Sequence, residues 1–596
     1  MTTTTSDWPT ANTQHGLLVA FGEFLQQHGL IESLMQVPIP QKTRRFSPQA
    51  KLVEFLAGIL SGIEHLEDLN EGPHPLANDT VVARAWGQSG FAHYSSLSRT
   101  LAVCEAQTVK AIEQAISNFS QPFIATQVDE LLRRGAAIIY DLDLTGQAVS
   151  PTSTTYPEAR FGWMDDSLQL GYQLARVCVT GADGKRIWLA GFHHPGDTVS
   201  VACLQELILA AEAQTQIRPR RRTELVQQRI QNQTQALTRL QRLREQQAAK
   251  VQGWSQTREK LIGQCYHVEQ QLKESAFSAG KKAFLHWKLK AWRKRLPRLE
   301  AQIAQGQQVR DKHHREAVQA EQQLAELQTW CDKLENDNRA NPQPPAYVEA
   351  RTDAGFISGE NLTWLLEMGY CPNTKAPSDK TTQALRKHLP ARCAWSQVGK
   401  NAEMVACGEY FLHDCPYPLI VALERFKVGR AFHYATLVRY RDDGRSRSLR
   451  EWFHHYNARQ TIEAGNKEMK GTFFVQHLMS HALSGLQIQV LFTGLAANTV
   501  RWSIPWLKNC SDPLTSKWQR TLNSPKHLVQ VAANSAARVD QTRCSTALQF
   551  APESPFPSVT LFLKGVPAFQ LALGFNRPYK ISSDSTIPAL VAQNLG

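Results

Sequence analysis

The spacing of apolar residues predicts that the first part of the chain is helical. Between residues 14 and 135, apolar positions recur with a helical period through HGLLVAFGEFLQQHGLIESLM and AKLVEFLAGILSGIEHLEDL. Ser47 and Pro48 suit the N-cap and the first turn of the second helix. Residues 76–109 predict two short helices around a glycine-containing turn, and Ser95–Arg99 opens the second of them. Its polar start is typical of a helix that reads DNA, and ordinary helical packing explains the same residues.

The pattern changes at Gly135 to a period of two residues, which predicts a strand in AAIIYDLDLTG. One face of this strand carries Ile139, Asp141, Asp143 and Thr145, and the opposite face is apolar. Two more strands are predicted in LGYQLARVCVTG and KRIWLAGFHHPG, joined by an ADGK turn and followed by a helix from Val199 to Gln214. Asp141 and Asp143 lie about 6.6 Å apart along the strand. Either carboxylate could therefore ligate a metal.

Residues 218–340 are rich in Gln, Glu, Arg, Lys and Leu, which favours long helices. A break around Glu274–Gly280 would fold two of them into an antiparallel hairpin. The second arm begins KKAFLHWKLKAWRKRLPR, in which eight basic residues and no acids surround Trp287 and Trp292. This segment suits phosphate contacts with aromatic packing, although a solvated coiled-coil face explains the same charges. The residues predicted to contact DNA are Lys281, Lys282, Lys288, Lys290, Arg293, Lys294 and Arg295, and Arg298 completes the basic run.

A Pro-rich linker, NPQPP, leads to AYVEARTDAGF, which predicts a strand that ends in Asp353, and a helix is predicted next in SGENLTWLLEMGY. The segments EMVACGEYFLH, PYPLIVALERFK and FHYATLVRYRD alternate like strands and predict a β-rich insertion that covers a cleft. A helix from Ser480 to about Trp502 is expected to pack on the core. The region from Lys508 onwards has no predicted role.

The stretch Ser448–Lys470 is predicted to form one helix, opened by a capping box of Ser448 and Glu451. With about 100° per residue, four of its side chains share an arc of about 60°. These four are Tyr456, Arg459, Glu463 and Lys470. Leu449 and Trp452 fall on the same arc, which indicates that this face is directed towards protein or a bound partner. The alternative is a solvated polar stripe.

Length and composition narrow these interpretations. A chain of 596 residues exceeds one hydrophobic core and predicts about three or four domains. A net charge of +13 favours a polyanionic partner, with nucleic acid ahead of an acidic membrane surface. The first residues, MTTTTSDWPT, indicate no signal peptide, and polar residues within Leu483–Trp506 favour a buried helix over a membrane span. The 11 cysteines include no CxxC pair, so we expect reduced cytosolic thiols without a zinc module or a disulfide framework.

Four polar side chains within Ser448–Lys470 have the spacing Tyr-x2-Arg-x3-Glu-x6-Lys, from Tyr456 to Lys470. This spacing resembles the signature of bacterial insertion-sequence transposases of the DDE type, in the cut-and-paste branch. The resemblance covers roughly residues 45–500, apart from the hairpin insertion. It favours Asp143 over Asp141 as the first metal ligand, because the family's first aspartate lies in Asp-x-Thr, as Asp143 does here. The family's second aspartate is matched by the Asp-x-Gly-Phe that starts at Asp353.

The resemblance implies an α/β ribonuclease H-like catalytic core that cuts terminal inverted repeats and transfers their 3′ ends to target DNA. The implied catalytic residues, which hold two magnesium ions or manganese in their place, are Asp143, Asp353 and Glu463. Arg459 and Lys470 would hold phosphates, and Tyr456 would add a hydroxyl contact. The implied partners are double-stranded DNA and a second protomer, without a membrane, at the nucleoid of a bacterial cytoplasm. The alternatives are a non-catalytic architectural DNA-binding protein, and a nuclease or resolvase without strand transfer.

The predicted organisation follows from these segments. It consists of a helical N-terminal DNA-binding domain (1–134), the first half of the core (135–217), a coiled-coil insertion (218–340), the core segment with the second aspartate (341–370), a β-rich insertion (371–447), the core segment with the glutamate (448–507) and an unassigned C-terminal region (508–596).

Overall fold

The structure, a computed structural model, describes residues 10–274, 277–341, 345–390, 392–440, 448–541 and 545–564. Contacts divide the chain into two compact units. One unit comprises residues 1–219, 345–366 and 370–596, and the other comprises residues 220–344 and 367–369. The larger unit is a mixed α/β fold, and the smaller one is built mainly from two long helices.

The larger unit begins with a short strand and six helices: β1 (Thr10–Thr13), α1 (Gly16–Gln27), α2 (Leu30–Met35), α3 (Pro48–Ser61), α4 (Thr80–Ala85), α5 (Tyr94–Ala102) and α6 (Ala106–Arg133). The predicted cap of α3 is confirmed, since the Ser47 hydroxyl accepts a hydrogen bond from the amide of Ala50 at 3.0 Å. Helices α4 and α5 are the two short helices predicted around a turn.

Four strands and a helix follow: β2 (Ile138–Ala148), β3 (Arg160–Met164), β4 (Ser167–Thr180), β5 (Arg186–Pro195) and α7 (Ser200–Thr215). Strands β2, β4 and β5 and helix α7 confirm the predicted order. Strand β3 was not predicted, because its five residues, RFGWM, lack polar–apolar alternation.

The smaller unit contains α8 (Thr223–Glu274) and α9 (Ala279–Ala340). Cross-contacts show that the helices run antiparallel: Gln227 pairs with Glu335 at 3.4 Å, and Glu269 pairs with Arg293 at 2.7 Å. Residues early in α8 therefore meet residues late in α9. The predicted helical hairpin, with its break near Glu274–Gly280, is confirmed.

The chain then forms β6 (Val348–Arg351), α10 (Gly359–Glu367), β7 (Cys371–Lys375), α11 (Asp379–His388), β8 (Ser396–Gly399), β9 (Ala402–Phe411), β10 (Pro418–Val428) and β11 (Ala431–Tyr440). It continues with α12 (Leu449–Asn457), α13 (Gln460–Thr472), α14 (Leu483–Cys510), β12 (Ser511–Asp512), α15 (Ser516–Leu522), α16 (Pro525–His527), β13 (Ala537–Gln541), β14 (Thr546–Phe550) and β15 (Thr560–Lys564).

The large sheet has the strand order β3-β4-β2-β6-β7-β11-β10-β9-β8, and β5 also pairs with β4. Strand β4 is long enough to hold β3 along its first part and β5 along the rest. Strands β2, β6 and β7 are parallel, whereas β4 is antiparallel to β2 and to β5. The carboxyl ends of the three parallel strands therefore meet at one edge of the sheet.

The three strands predicted as a β-rich insertion are confirmed as β9, β10 and β11. They do not form a separate layer that covers a cleft. Strand β11 pairs antiparallel with β7, so these strands extend the central sheet itself. Helix α12 packs on this extension, where Trp452 and Tyr456 are buried in a cluster with Val398, Met404 and Leu437. The arc that contains Trp452 is thus directed towards protein.

Helix α14 is longer than predicted and passes through the main hydrophobic core of the larger unit. Its ring contacts include Trp502, which stacks on Phe123 of α6 with centroids 4.7 Å apart. A second sheet, β1-β13-β14-β15-β12, borders the same core and joins the two ends of the described chain. Among the described residues, no helix combines the length and apolarity that crossing a membrane requires.

The stretch Ser448–Lys470 forms two helices, α12 and α13, so the prediction of a single helix is wrong. Arg351 donates a hydrogen bond to the carbonyl of His455 at 2.6 Å. In a continuous helix this carbonyl would accept from the amide of Arg459. That amide instead donates to the carbonyl of Tyr456 at 3.0 Å, which tightens the backbone between the helices. At the break, a side chain from β6 therefore occupies a carbonyl that a continuous helix would use for its own hydrogen bond.

Candidate active site

Asp143 lies in the middle of β2, the parallel strand that stands between β4 and β6 in the sheet. Its side chain is 15% exposed and accepts a hydrogen bond from the amide nitrogen of Asn466 on α13. Arg459 lies beside it, with Nη1 at 3.8 Å from Oδ1. Arg176 stands opposite Asp143 in the register of β2 with β4. Asp143 therefore faces three positively charged or polar neighbours, from β4 and from α13 with its N-cap.

Asp353 lies two residues beyond the carboxyl end of β6. Its Oδ1 accepts a hydrogen bond from the amide of Gly355 at 2.9 Å and caps the short turn Ala354–Phe356. Strands β6 and β2 are parallel, so their carboxyl ends lie at the same edge of the sheet. Asp353 lies at this edge, towards which β2 runs from Asp143. The predicted strand context of Asp353 is thus present, although the strand itself ends at Arg351.

Glu463 lies in the first turn of α13 and is 52% exposed. Its Oε1 lies 3.4 Å from Nη2 of Arg459. Since the same guanidinium also contacts Asp143, Arg459 bridges carboxylates that come from a strand and a helix. Glu463, Arg459 and Asp353 also line one cleft of about 330 Å³. The structure therefore brings the three predicted carboxylates into one electrostatic cluster.

Burial raises the pKa of Asp143 to about 6, and the negative charges of Asp353 and Glu463 act in the same direction. The positive charges of Arg459 and Arg176 oppose this shift. Burial alone would lower the pKa of Arg459, but its acidic neighbours and Tyr456 raise that pKa above its ordinary value. Arg459 is thus a fixed positive charge within a cluster that carries more acids than bases.

The Asp141 carboxylate is fully buried and engaged elsewhere. Both of its oxygens accept hydrogen bonds from Arg351, at 2.6 and 2.8 Å. Arg351 lies opposite Asp141 in the parallel register of β6 with β2. Of the two aspartates that the alternation left open, Asp143 is therefore the one that faces Arg459 and the cluster.

The remaining predicted contacts are spread more widely. Tyr456 lines the cleft but is buried, and burial raises the pKa of its hydroxyl to about 12, so it keeps its proton at neutral pH. Lys470 lies about two helical turns beyond Glu463, half-buried, and does not line the cleft. The basic residues of the hairpin belong to the other compact unit.

Three residues of this region were not predicted. Lys375 ends β7 and lines the cleft, with Nζ at 5.6 Å from the Tyr456 ring centre and 3.5 Å from Glu424. Lys375 could have been found as a lysine at the end of a strand next to β6, but β7 itself was not predicted. Asn466 follows Glu463 by three residues, a helical spacing that places both on neighbouring positions of one face. The third, Arg176, carried no sequence signal.

Arg176 is buried, and within the described chain none of its three guanidinium nitrogens has a hydrogen-bond acceptor. Its guanidinium carbon lies 5.3 Å from the centre of the Trp188 ring. Burial lowers its pKa to about 10, and the charge of Asp143 opposes that shift. Arg176 therefore remains charged at neutral pH and acts on Asp143 from the neighbouring strand β4.

A second polar cluster, formed by Glu64, His65 and His477, lies beside a cavity of about 390 Å³, which none of the three carboxylates lines. The rings of His65 and His477 are stacked, with centroids 4.9 Å apart and an angle of 18°. Stacked imidazoles hold their nitrogen lone pairs in parallel planes, so they do not converge on one ion. This cluster therefore provides no argument for a metal site.

Compared with models of known protein families and with curated proteins, the chain has no significant match. An interpretation of the site therefore depends on its own geometry and chemistry. That geometry consists of Asp143, Asp353 and Glu463 from three elements, gathered around Arg459 beside an open cleft.

Proposed function

We propose that the protein is a DNA transposase that cuts element ends and joins their 3′ ends to target DNA by two-metal phosphodiester chemistry. The observation that carries this proposal is the gathering of Asp143, Asp353 and Glu463, which lie far apart in sequence, around Arg459. Asp353 and Glu463 also line one cleft with this arginine. The positive net charge supports a nucleic-acid substrate.

The sheet supports a ribonuclease H-like core. Five strands stand in the order β5-β4-β2-β6-β7, with β4 antiparallel to its neighbours and β2, β6 and β7 parallel. Helix α7 follows the third strand of this set. In such a core the acids lie on the first strand, after the fourth strand and on a later helix, as Asp143, Asp353 and Glu463 do here.

The donor set fits magnesium or manganese. Both ions prefer oxygen ligands, and carboxylates from a strand, from the turn after another strand and from a helix can supply them without a soft ligand. Burial, together with the negative charges of Asp353 and Glu463, raises the pKa of Asp143, and a divalent cation would favour its ionised form. Asp143, Asp353 and Glu463 would hold the ions, which would polarise the phosphodiester and activate the attacking oxygen.

The other residues of the cleft can bind and position the DNA strand. Lys375 supplies a positive charge, and the protonated Tyr456 hydroxyl can donate to a phosphate oxygen. Arg459 balances the carboxylates and can turn towards a phosphate as ions replace its charge. Asn466 donates to Asp143 and orients that carboxylate. These contacts read no base sequence, so they suit any strand that enters the cleft.

The test is to incubate the protein with DNA that carries the element ends, in magnesium and in EDTA. We expect excised and joined products, with 3′ hydroxyl ends at the cut, only in magnesium. Cleavage without joined products would instead indicate a nuclease of the same fold. DNA binding with no cleavage at any metal concentration would indicate an architectural protein.

A further inference from the structure

The outer face of α9 near its start exposes aromatic rings. Trp287 is 65% exposed and Phe284 is 52% exposed, and their ring centres lie 6.1 Å apart. The opposite face of the helix packs through Leu285 and Leu289 onto Cys265 of α8. The exposed rings are therefore not part of the contact that holds the hairpin together.

The basic residues around these rings fall into two groups. Some are engaged within the hairpin: Arg293 pairs with Glu269 at 2.7 Å, and Lys288 lies 5.0 Å from the Phe284 ring centre. Others are exposed and form no ion pair with any residue in the described part of the chain: Lys282, Lys290, Lys294, Arg295 and Arg298. The first acid of α9 is Glu300, so no carboxylate on this helix neutralises them.

Four residues form one outward stripe. With about 100° per residue, Trp287, Lys290, Lys294 and Arg298 fall within an arc of about 80°, away from Leu285 and Leu289. Successive cations are about 6 Å apart along the axis, so the three cations span about 12 Å. Each DNA strand carries one phosphate per about 3.4 Å of helix axis, so the stripe matches about three to four phosphates.

We propose that this stripe is a second nucleic-acid-binding surface, which grips DNA that carries unpaired bases. Its cations would contact the sugar–phosphate backbone, and the exposed Trp287 ring would stack on a base that has left the duplex. A membrane-bound helix would direct a broad apolar face outwards. Here the apolar face of α9 is packed against α8, and only two rings stand among the exposed cations. The proposal concerns the hairpin alone and does not require the carboxylate chemistry.

The first test removes the charge. Full-length protein is titrated in EDTA into a labelled duplex of about 25 base pairs, at several salt concentrations. The stripe variant K290Q/K294Q/R298Q is compared with R239Q/R242Q/K250Q, which removes the same charge from exposed residues of α8. We expect the stripe variant to lower the slope of log affinity against log salt by about 2 to 3, and the control by less than about 1. Equal changes in both variants would overturn the proposal.

The second test concerns the ring. The same duplex is compared with one that contains a mismatched bubble of about four bases. We expect Trp287→Ala to weaken binding of the bubble about tenfold and of the intact duplex less than about twofold, and Trp287→Phe to restore most of the loss. Equal losses of affinity for both DNAs would overturn the proposal that the Trp287 ring stacks on unpaired bases. Anionic vesicles are tested in parallel, and loss of vesicle binding in the stripe variant with an unchanged DNA slope would assign the surface to membranes instead. All measurements exclude divalent ions, so a failure here is distinct from a failure of the proposed cleavage.

Discussion

Both oxygens of Asp141 accept hydrogen bonds from the guanidinium of Arg351, at 2.6 and 2.8 Å, and the two side chains are almost completely buried. Two residues further along the same strand face, Asp143 shares Arg459 with Glu463 beside an open cleft. Two successive residues on one face of β2 are thus a carboxylate that is paired with an arginine and a carboxylate whose negative charge is only partly balanced. This difference leads to opposite expectations for the two aspartates.

Asp141→Asn is expected to destabilise the protein. The substitution leaves the buried Arg351 guanidinium without its counter-charge, and breaking one side of a buried ion pair typically costs about 3–5 kcal/mol. Chemical denaturation should therefore show a free energy of unfolding lower by about this amount. A loss below about 1 kcal/mol would show that the pair contributes little to the fold.

Asp143→Asn is expected to stabilise the protein at neutral pH while it abolishes cleavage. The pKa of Asp143 is about 6 in the fold against about 3.9 when unfolded, so its ionised form costs stability above pH 6. The gain should be about 1–2 kcal/mol at pH 7.5 and should disappear below about pH 4, where the carboxyl is protonated in both states. Denaturation curves of the variant and the wild type across this pH range test the sign of the difference in their free energies of unfolding. Equal destabilisation at all pH values would contradict it.

Metal affinity is expected to fall in acid. A protonated Asp143 cannot ligate a cation, and its pKa of about 6 places this protonation close to neutrality. Manganese binding measured by calorimetry should be nearly constant above about pH 7 and should weaken about tenfold per pH unit below about pH 6. The Asp143→Asn variant should bind weakly and with a flatter profile. An affinity that does not change between pH 5 and 8 would show that Asp143 is not a ligand.

Arg351 is expected to position Glu463 as well as to stabilise the sheet. Its guanidinium donates a hydrogen bond to the carbonyl of His455, at the break that precedes α13. A double variant, D141L/R351M, replaces the ion pair by apolar groups and should recover most of the stability that D141N loses. Its cleavage rate should still be at least about tenfold low, with substrate affinity little changed. Full activity in this variant would show that the break does not depend on Arg351.

The periodicity of apolar residues was sufficient to predict the elements whose sequence pattern is regular. Strands β2, β4, β5, β9, β10 and β11 alternate clearly, and the hairpin has the composition of long helices, so all were predicted. Strands β3 and β7 are short and lack alternation, and Lys375 was missed with β7. The resemblance to transposases supplied the choice between Asp141 and Asp143, which alternation alone could not make.

Contacts that depend on tertiary structure could not be predicted. At the break near Arg459, the His455 carbonyl accepts a hydrogen bond from Arg351, more than 100 residues earlier in the sequence, and no local pattern indicates this contact. Arg176 opposes Asp143 only because β4 pairs with β2 in that register. The link between β1 and β13 likewise joins segments from opposite ends of the described chain. Such long-range pairings decide which predicted side chains finally meet.

The most direct test of the central claim is a magnesium-dependent cutting and joining assay on DNA with the element ends, with wild type, Asp143→Asn, Asp353→Asn, Glu463→Gln and the control Lys470→Ala. Lys470 shares α13 with Glu463 but does not line the cleft. We expect cleavage and joining to fall by at least about a thousandfold in each of the three carboxylate variants, with DNA binding within about threefold of wild type. The control should retain cleavage, with weaker DNA binding at most. Wild-type cleavage in any one of the carboxylate variants would contradict the proposed catalytic set.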